Sequence, residues 1–140
     1  MLCPLCSISR DVVVWQDAHC HVVLVADPDY PGYCRVVWGE HVTEMSDLPL
    51  SEQRHIFDVI LAVERALRAL MKPDKINLAS FGNKVPHLHW HVVARFADDR
   101  HFPESIWGRE QRPGRLRAAP ERAELARLIE DELSRIVGIH

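Results

Sequence analysis

The sequence predicts an α+β domain built on a largely antiparallel sheet. Three observations carry that expectation. Short β-branched runs crowd the first forty residues, one long segment of helical period follows, and two further β-rich runs precede a closing helical segment. Strands grouped in blocks, not alternating with helices one for one, favour an antiparallel sheet with helices packed against it.

The elements follow in order. "DVVVWQ" (11–16) and "HVVLVA" (21–26) are β-branched runs separated by the polar connection "DAHC", which reads as a hairpin. "DPDYPG" (27–32) is turn chemistry: proline fixes φ and glycine permits tight backbone angles. "YCRVVWG" (33–39) then reads as a third strand. Over 51–72, Ile56, Ile60, Val63, Leu67 and Leu70 recur at spacings of three and four, while Arg54, Asp58, Arg65 and Arg68 lie mostly off that stripe. That pattern predicts an amphipathic helix entered near Ser51 and ended by Pro73, because proline disfavours helix in the residue before it. "KINLASF" (75–81) and "LHWHVVARF" (88–96) are strands four and five, joined by "GNKVPH". Leu125, Ile129, Leu133 and Ile136 mark a last helix over 121–137.

The 140 residues suit a single domain with one sizeable core, 1–110 forming its body and 111–140 an extension of the same unit. A hydrophobic share of 47%, a charged share of 26% and a net charge of −3 argue against bulk nucleic-acid binding, which needs a strongly basic face. The arginines of "REQRPGRLR" (109–117) suit a solvated loop better than a phosphate-binding arm. No apolar run approaches the roughly 20 residues of a membrane span, and "MLCPLCSISRD" lacks the basic start and apolar stretch of a signal peptide. A soluble cytosolic protein is expected, in which Cys3, Cys6, Cys20 and Cys34 serve as thiols or metal ligands and not as disulfides.

"PHLHWHVV" (86–93) carries three of the nine histidines, His87, His89 and His91, at alternate positions. In a strand such residues share one side, while Leu88, Trp90 and Val92 face the core and hold the row rigid. A rigid row of imidazoles can chelate a metal, donate hydrogen bonds to an anion, or present one ring as a nucleophile; a histidine-rich exposed face with no chemistry is the bland alternative. The preceding "FGNKVP" adds a glycine turn and the Asn83 amide, suited to approaching a phosphate. "CPLC" at Cys3 and Cys6 has the spacing by which two thiolates grip one zinc ion, which is half a site. His19 and His21 in "AHCHVV" are candidate partners, and two free thiols without metal is the alternative.

"HLHWHVV" after a Gly-amide turn resembles the signature of the histidine triad (HIT) superfamily. The resemblance extends from about Cys3 to Trp107, is strongest over "DKINLASFGNKVPHLHWHVVARF", and "DDRHFPESIWG" is similar to the segment after the triad in one bacterial branch. It implies a HIT-like fold: a mainly antiparallel five-stranded sheet, one long helix and a C-terminal helix. It also implies a hydrolase or transferase of nucleoside 5′-phosphate linkages, in phosphoramidates, dinucleoside polyphosphates or adenylylated compounds. By the same resemblance His89 would be the nucleophile that becomes nucleotidylated, His91 would bond the phosphate oxygens and His87 would support the site from behind. Asn83 and Asn77 would contact the phosphate or leaving group, and Asp27 the ribose hydroxyls. Several relatives complete a structural zinc site with a histidine after the third strand and the first triad histidine. Here Cys3, Cys6, His41 and His87 match. The resemblance implies no organic cofactor, and a homodimer formed through the long helix and a sheet strand, with "VVW" (36–38) offering apolar surface.

One position departs from the pattern. In many relatives the third strand begins with glycine–histidine, and that histidine backs up the nucleophile; Tyr33 stands there in this chain. A tyrosine bonds hydrogen but does not titrate near pH 7, which leaves a nucleotide-binding sensor with little turnover as the alternative function.

Overall fold

The computed structural model describes residues 3–139; residues 1 and 2, and residue 140 at the end of the expected extension, lie outside them. Five strands run in chain order: β1 (Val13–Gln16), β2 (Cys20–Leu24), β3 (Cys34–Trp38), β4 (Lys75–Ala79) and β5 (His89–Arg95). They form one sheet in the order β1-β2-β3-β5-β4, every neighbouring pair antiparallel. Helix α1 (Leu50–Met71) joins β3 to β4, and helix α2 (Arg122–Ile139) closes the chain. The first strand is shorter than its β-branched run because Arg10–Val12 forms a 3-10 turn capped by Ser9.

The hairpin of β1 and β2 is fixed by Asp17. Its Oδ1 accepts from the backbone N–H groups of His19 and Cys20 at 2.8 and 2.9 Å, while Oδ2 meets His55 Nε2 of α1 at 2.6 Å. Side-chain capping of this kind replaces hydrogen bonds that the turn leaves unmade. Gly32, at φ 85°, makes the turn into β3, and a side chain there would strike Met71 at the end of α1. Helix α1 stops where Lys72 turns left-handed, one residue before Pro73.

Alternation assigns the two sheet faces. Cys20, Val22, Cys34, Val36, Trp38, Val92 and Ala94 point to one side, where Ile56, Ile60, Val63 and Leu67 of α1 meet them. Leu125, Ile129 and Leu133 of α2 enter the same core, so the extension packs with the domain body. Each fully buried side chain of this size stabilises the fold by roughly 1.5–3 kcal/mol. Burial raises the Cys34 thiol to about 12 and keeps it neutral.

The stretch after β5 is held by a buried ion pair. Arg95 Nε donates to Asp99 Oδ2 at 2.8 Å, its Nη1 to Asn77 Oδ1 at 2.7 Å and its Nη2 to the Glu104 carbonyl at 2.7 Å. Burial pushes the Asp99 carboxyl up, but Arg95 and the amides of Phe96 and Phe102 outweigh it and hold it at about 2. The arginine-rich segment is a largely exposed loop, as expected, tied to the turn after β5 by its arginines. Arg112 donates to the carbonyls of Asp99 and Phe102, and Arg115 and Arg117 pair with Asp98. Among the described residues no helix is long and apolar enough to cross a membrane.

The "VVW" surface proposed for dimerisation is corrected. Val36, Val37 and Trp38 lie on an inner strand between β2 and β5 and are buried. Among the described residues, the exposed large apolar side chains of α1 are instead Leu50, Phe57 and Leu61, and edge strand β4 adds Leu78.

Candidate functional site

The side of the sheet away from α1 carries the polar chemistry. Antiparallel partners that sit opposite each other share a face. In one row His21 of β2 meets Val37 of β3, which meets His89 of β5; in the next, Val23 meets Arg35, which meets His91. Leu88 and Val92 are buried on the helix side, and Trp90 packs beside Phe57 with ring centroids 5.3 Å apart, so apolar contacts fix the direction of the histidines between them.

His89 is 8% exposed, and its Nδ1 lies 2.7 Å from the His87 carbonyl. A carbonyl only accepts, so Nδ1 carries a proton, and the neutral form of the ring has its lone pair at Nε2. The same strand turn is braced by Ser80 Oγ, which donates to the His89 carbonyl at 2.6 Å. His91 stands next to it, ring centroids 5.0 Å apart. Burial, reinforced by the His89 and Arg35 charges, pushes His91 down to about 4, so it is neutral over the physiological range.

Tyr33 does not stand behind His89. Its hydroxyl is 2.6 Å from His91 Nδ1, because Tyr33 precedes β3 on the row beyond Arg35 and so reaches the second imidazole. Burial pushes the phenol up, and it stays protonated at neutral pH.

His87 lies in the bend before β5, which begins at His89, and its ring faces Cys3 and Cys6. Its Nε2 donates to the Trp38 carbonyl at 2.6 Å, which leaves Nδ1 as the basic nitrogen. That nitrogen is 3.5 Å from Cys3 Sγ and 3.4 Å from Cys6 Sγ, and Cys6 Sγ is 3.2 Å from His41 Nδ1. The four ligand atoms lie within 4.8 Å of one another. Tetrahedral zinc at ordinary bond lengths would separate sulfur from nitrogen by about 3.6 Å, so the residues fit the ion. His19 and His21 do not join them: His19 stacks on Trp38 at 5.7 Å, and His21 Nδ1 is buried without a partner. Among the described residues, no cluster close enough to hold an ion contains His89 or His91.

Among the described residues, none of the remaining expected residues hydrogen-bonds His89 or His91. Asn77 has its amide oxygen fixed by Arg95. Asp27 caps its own turn, with Oδ1 accepting from the Asp29 N–H at 3.0 Å. Asn83 is exposed in the turn that Gly82 makes at φ 71°, and it has no protein hydrogen bond among the described residues. The sequence reading passed over three neighbours of the histidines. Arg35 lies opposite His91, and the exposed rings of Phe81 and Trp107 meet His91 at 6.0 and 4.9 Å. Alternation within "CRVVW" put Arg35 on the polar side, but only the register of β3 against β5 put it beside His91.

A five-stranded antiparallel sheet with helices on one side and a pair of oriented imidazoles on the other is an α+β histidine-site domain. The chain belongs to the HIT domain family, which it matches over residues 8–98. It is similar to a bis(5′-adenosyl)-triphosphatase of Saccharomyces cerevisiae, with 28% identity over 60% of this chain and 44% of the yeast protein. An AP-4-A phosphorylase of Mycobacterium tuberculosis is also 28% identical, over 81% of this chain and 62% of the relative. The chain thus spans about half the length of the first and under two thirds of the second. A histidine triad protein from Bradyrhizobium japonicum has the same fold, with a TM-score of 0.67 and 29% identity over 94% of this chain and 98% of that one.

Proposed function

We propose that the protein is a nucleotidyl hydrolase or transferase that cleaves nucleoside 5′-phosphate linkages through a nucleotidyl-His89 intermediate. The observation that carries this reading is the hydrogen bond from His89 Nδ1 to the His87 carbonyl, which aims the Nε2 lone pair outward. Attack forms an N–P bond and breaks the bond from phosphorus to the leaving group, which departs with its electron pair. Water or another acceptor then attacks phosphorus, loses a proton to solvent and returns the pair to Nε2. Splitting one displacement into two lowers each barrier. With the Tyr33 hydroxyl donating to Nδ1, neutral His91 carries its proton on Nε2, a fixed donor for a phosphoryl oxygen. Asn83 and Asn77 serve the phosphate or leaving group, and Asp27 the ribose. The names of the yeast and mycobacterial relatives support dinucleoside polyphosphates as a substrate class. Incubation with adenosine and guanosine 5′-phosphoramidates and dinucleoside polyphosphates should release nucleoside monophosphate; no release from any of them defeats the reading. Nucleotide binding without release would favour the sensor reading, which Tyr33 motivates.

Zinc is the second element of the proposal. Cys3, Cys6, His41 and His87 would hold it, and bound zinc would tie the N-terminal segment to the bend before β5 without entering the reaction. Protein purified without chelator should carry about one zinc per chain. Replacing Cys3 and Cys6 together with serine should abolish binding and lower the melting temperature, because binding energy of this kind is partly folding energy. Far less than one zinc in the intact protein would defeat it.

The homodimer is the third. Phe57 and Leu61 are 40% and 41% exposed, Leu78 on the edge strand 37%, and a second copy would cover all three. Light scattering should give about twice 16.1 kDa, and Leu61→Glu should shift the mass toward the monomer. A 16.1 kDa species at micromolar concentration rules the dimer out.

A further inference from the structure

We infer that Arg35 is an anion-binding residue that takes the 5′-phosphate of the bound nucleotide, beside His91. The inference rests on the nucleotide reading above and assigns a residue to it. Two arginines emerge from the inner strands, and the protein treats them differently. Arg95 is buried with an acceptor for each arm of its guanidinium: Asp99, Asn77 and the Glu104 carbonyl. Arg35 is half-buried on β3, yet its Nε is enclosed without a hydrogen-bond partner, and among the described residues it forms no ion pair with a carboxylate. Its guanidinium carbon lies 5.5 Å from the centre of the Tyr33 ring, the same tyrosine that bonds His91. An enclosed N–H donor left unpaired is costly, so a half-exposed guanidinium on an inner strand, with no carboxylate to pair it, suits an external anion.

Position selects the anion. Arg35 is the register partner of His91, and such partners hold their Cβ atoms about 4.5–5.5 Å apart. It also lines, with Val37, a cleft of about 310 Å³ walled by Leu5, Ile8, Val12 and Val23. An occupant with an apolar ring system in that cleft and a phosphate at its inner end would set the phosphate between Arg35 and the two imidazoles. The planar fork of arginine pairs with phosphate oxygens by two parallel hydrogen bonds.

The experiment is calorimetric binding of AMP and of adenosine to the wild type, Arg35→Met and Arg35→Lys, with melting curves to establish that each is folded. Methionine keeps the apolar stem over Tyr33 and removes the charge. Arg35→Met should weaken AMP roughly tenfold to a hundredfold, as for loss of a charged hydrogen bond, and leave adenosine affinity unchanged. Arg35→Lys should restore part of the AMP affinity. Equal AMP binding by wild type and Arg35→Met overturns the inference and leaves the proposed activity standing. Equal loss of AMP and adenosine also overturns it, assigning Arg35 to the base. A wild type that binds neither ligand overturns the nucleotide reading and the inference together.

Discussion

His89→Asn should abolish turnover while nucleotide binding survives. Asparagine keeps a polar side chain of similar reach and can still donate to the His87 carbonyl, but it offers phosphorus no basic nitrogen. The loss should exceed the roughly 10²–10⁴-fold expected when only a general acid or base is removed, because the two-step route itself disappears. His91→Asn should be milder. An amide can still donate to a phosphoryl oxygen, so the reaction slows without stopping. Burial first, then the charges of His89 and Arg35, keeps His91 neutral until the pH approaches about 4, so protonation of this ring does not shape the rate near neutrality. Initial rates on a dinucleoside polyphosphate, with AMP binding measured in parallel, decide the matter. Acid-lability of the labelled protein from quenched reactions would mark a phosphorus–nitrogen bond, and mapping of the labelled peptide would place it on His89. Near-normal turnover by His89→Asn, or label on another residue, would make the assigned mechanism wrong.

Asp99→Ala should destabilise the fold by about 3–5 kcal/mol, the usual consequence of leaving a buried charge without its partner. Arg95 is 1% exposed and Asp99 2%, so the guanidinium could not recover solvent without opening the end of β5. Asp99 also accepts from the backbone N–H groups of Phe96, His101 and Phe102 at 2.8–3.1 Å, so the turn after β5 loses its anchor in the same substitution. Urea unfolding followed by circular dichroism should show a lower midpoint with an unchanged slope. A midpoint within experimental error of wild type would contradict the argument. The same pair sets an acid limit. The Asp99 carboxyl is held at about 2, below the unfolded value near 3.9, so its contribution is fully present above about pH 4 and is lost as the pH falls through about 2. Because Trp107 follows this turn and rests on His91, Asp99→Ala should also disturb the site, whereas His89→Asn should leave stability nearly unchanged.

The amino-acid sequence by itself determined the local periods. Alternation in "LHWHVV" separated His89 and His91 from Leu88, Trp90 and Val92, and the three-and-four spacing from Ile56 to Leu70 produced α1 within a residue or two of its observed ends. Proline and glycine marked the turns at Gly32 and Gly82, where the backbone does adopt positive φ. These features depend on neighbours along the chain, so they are legible from it. Strand order and register depend on residues far apart. Tertiary structure alone buried Val36, Val37 and Trp38 on an inner strand, and it alone turned His87 out of the row toward Cys3 and Cys6, which precede it by more than eighty positions. It likewise brought Tyr33 to His91 and not to His89, and set Arg35 opposite His91. A shift of one residue in the pairing of β3 with β5 would turn Arg35 to the helix side, because side chains alternate with period two. The parity of each strand was written locally, whereas its partners were chosen by the burial of a shared core.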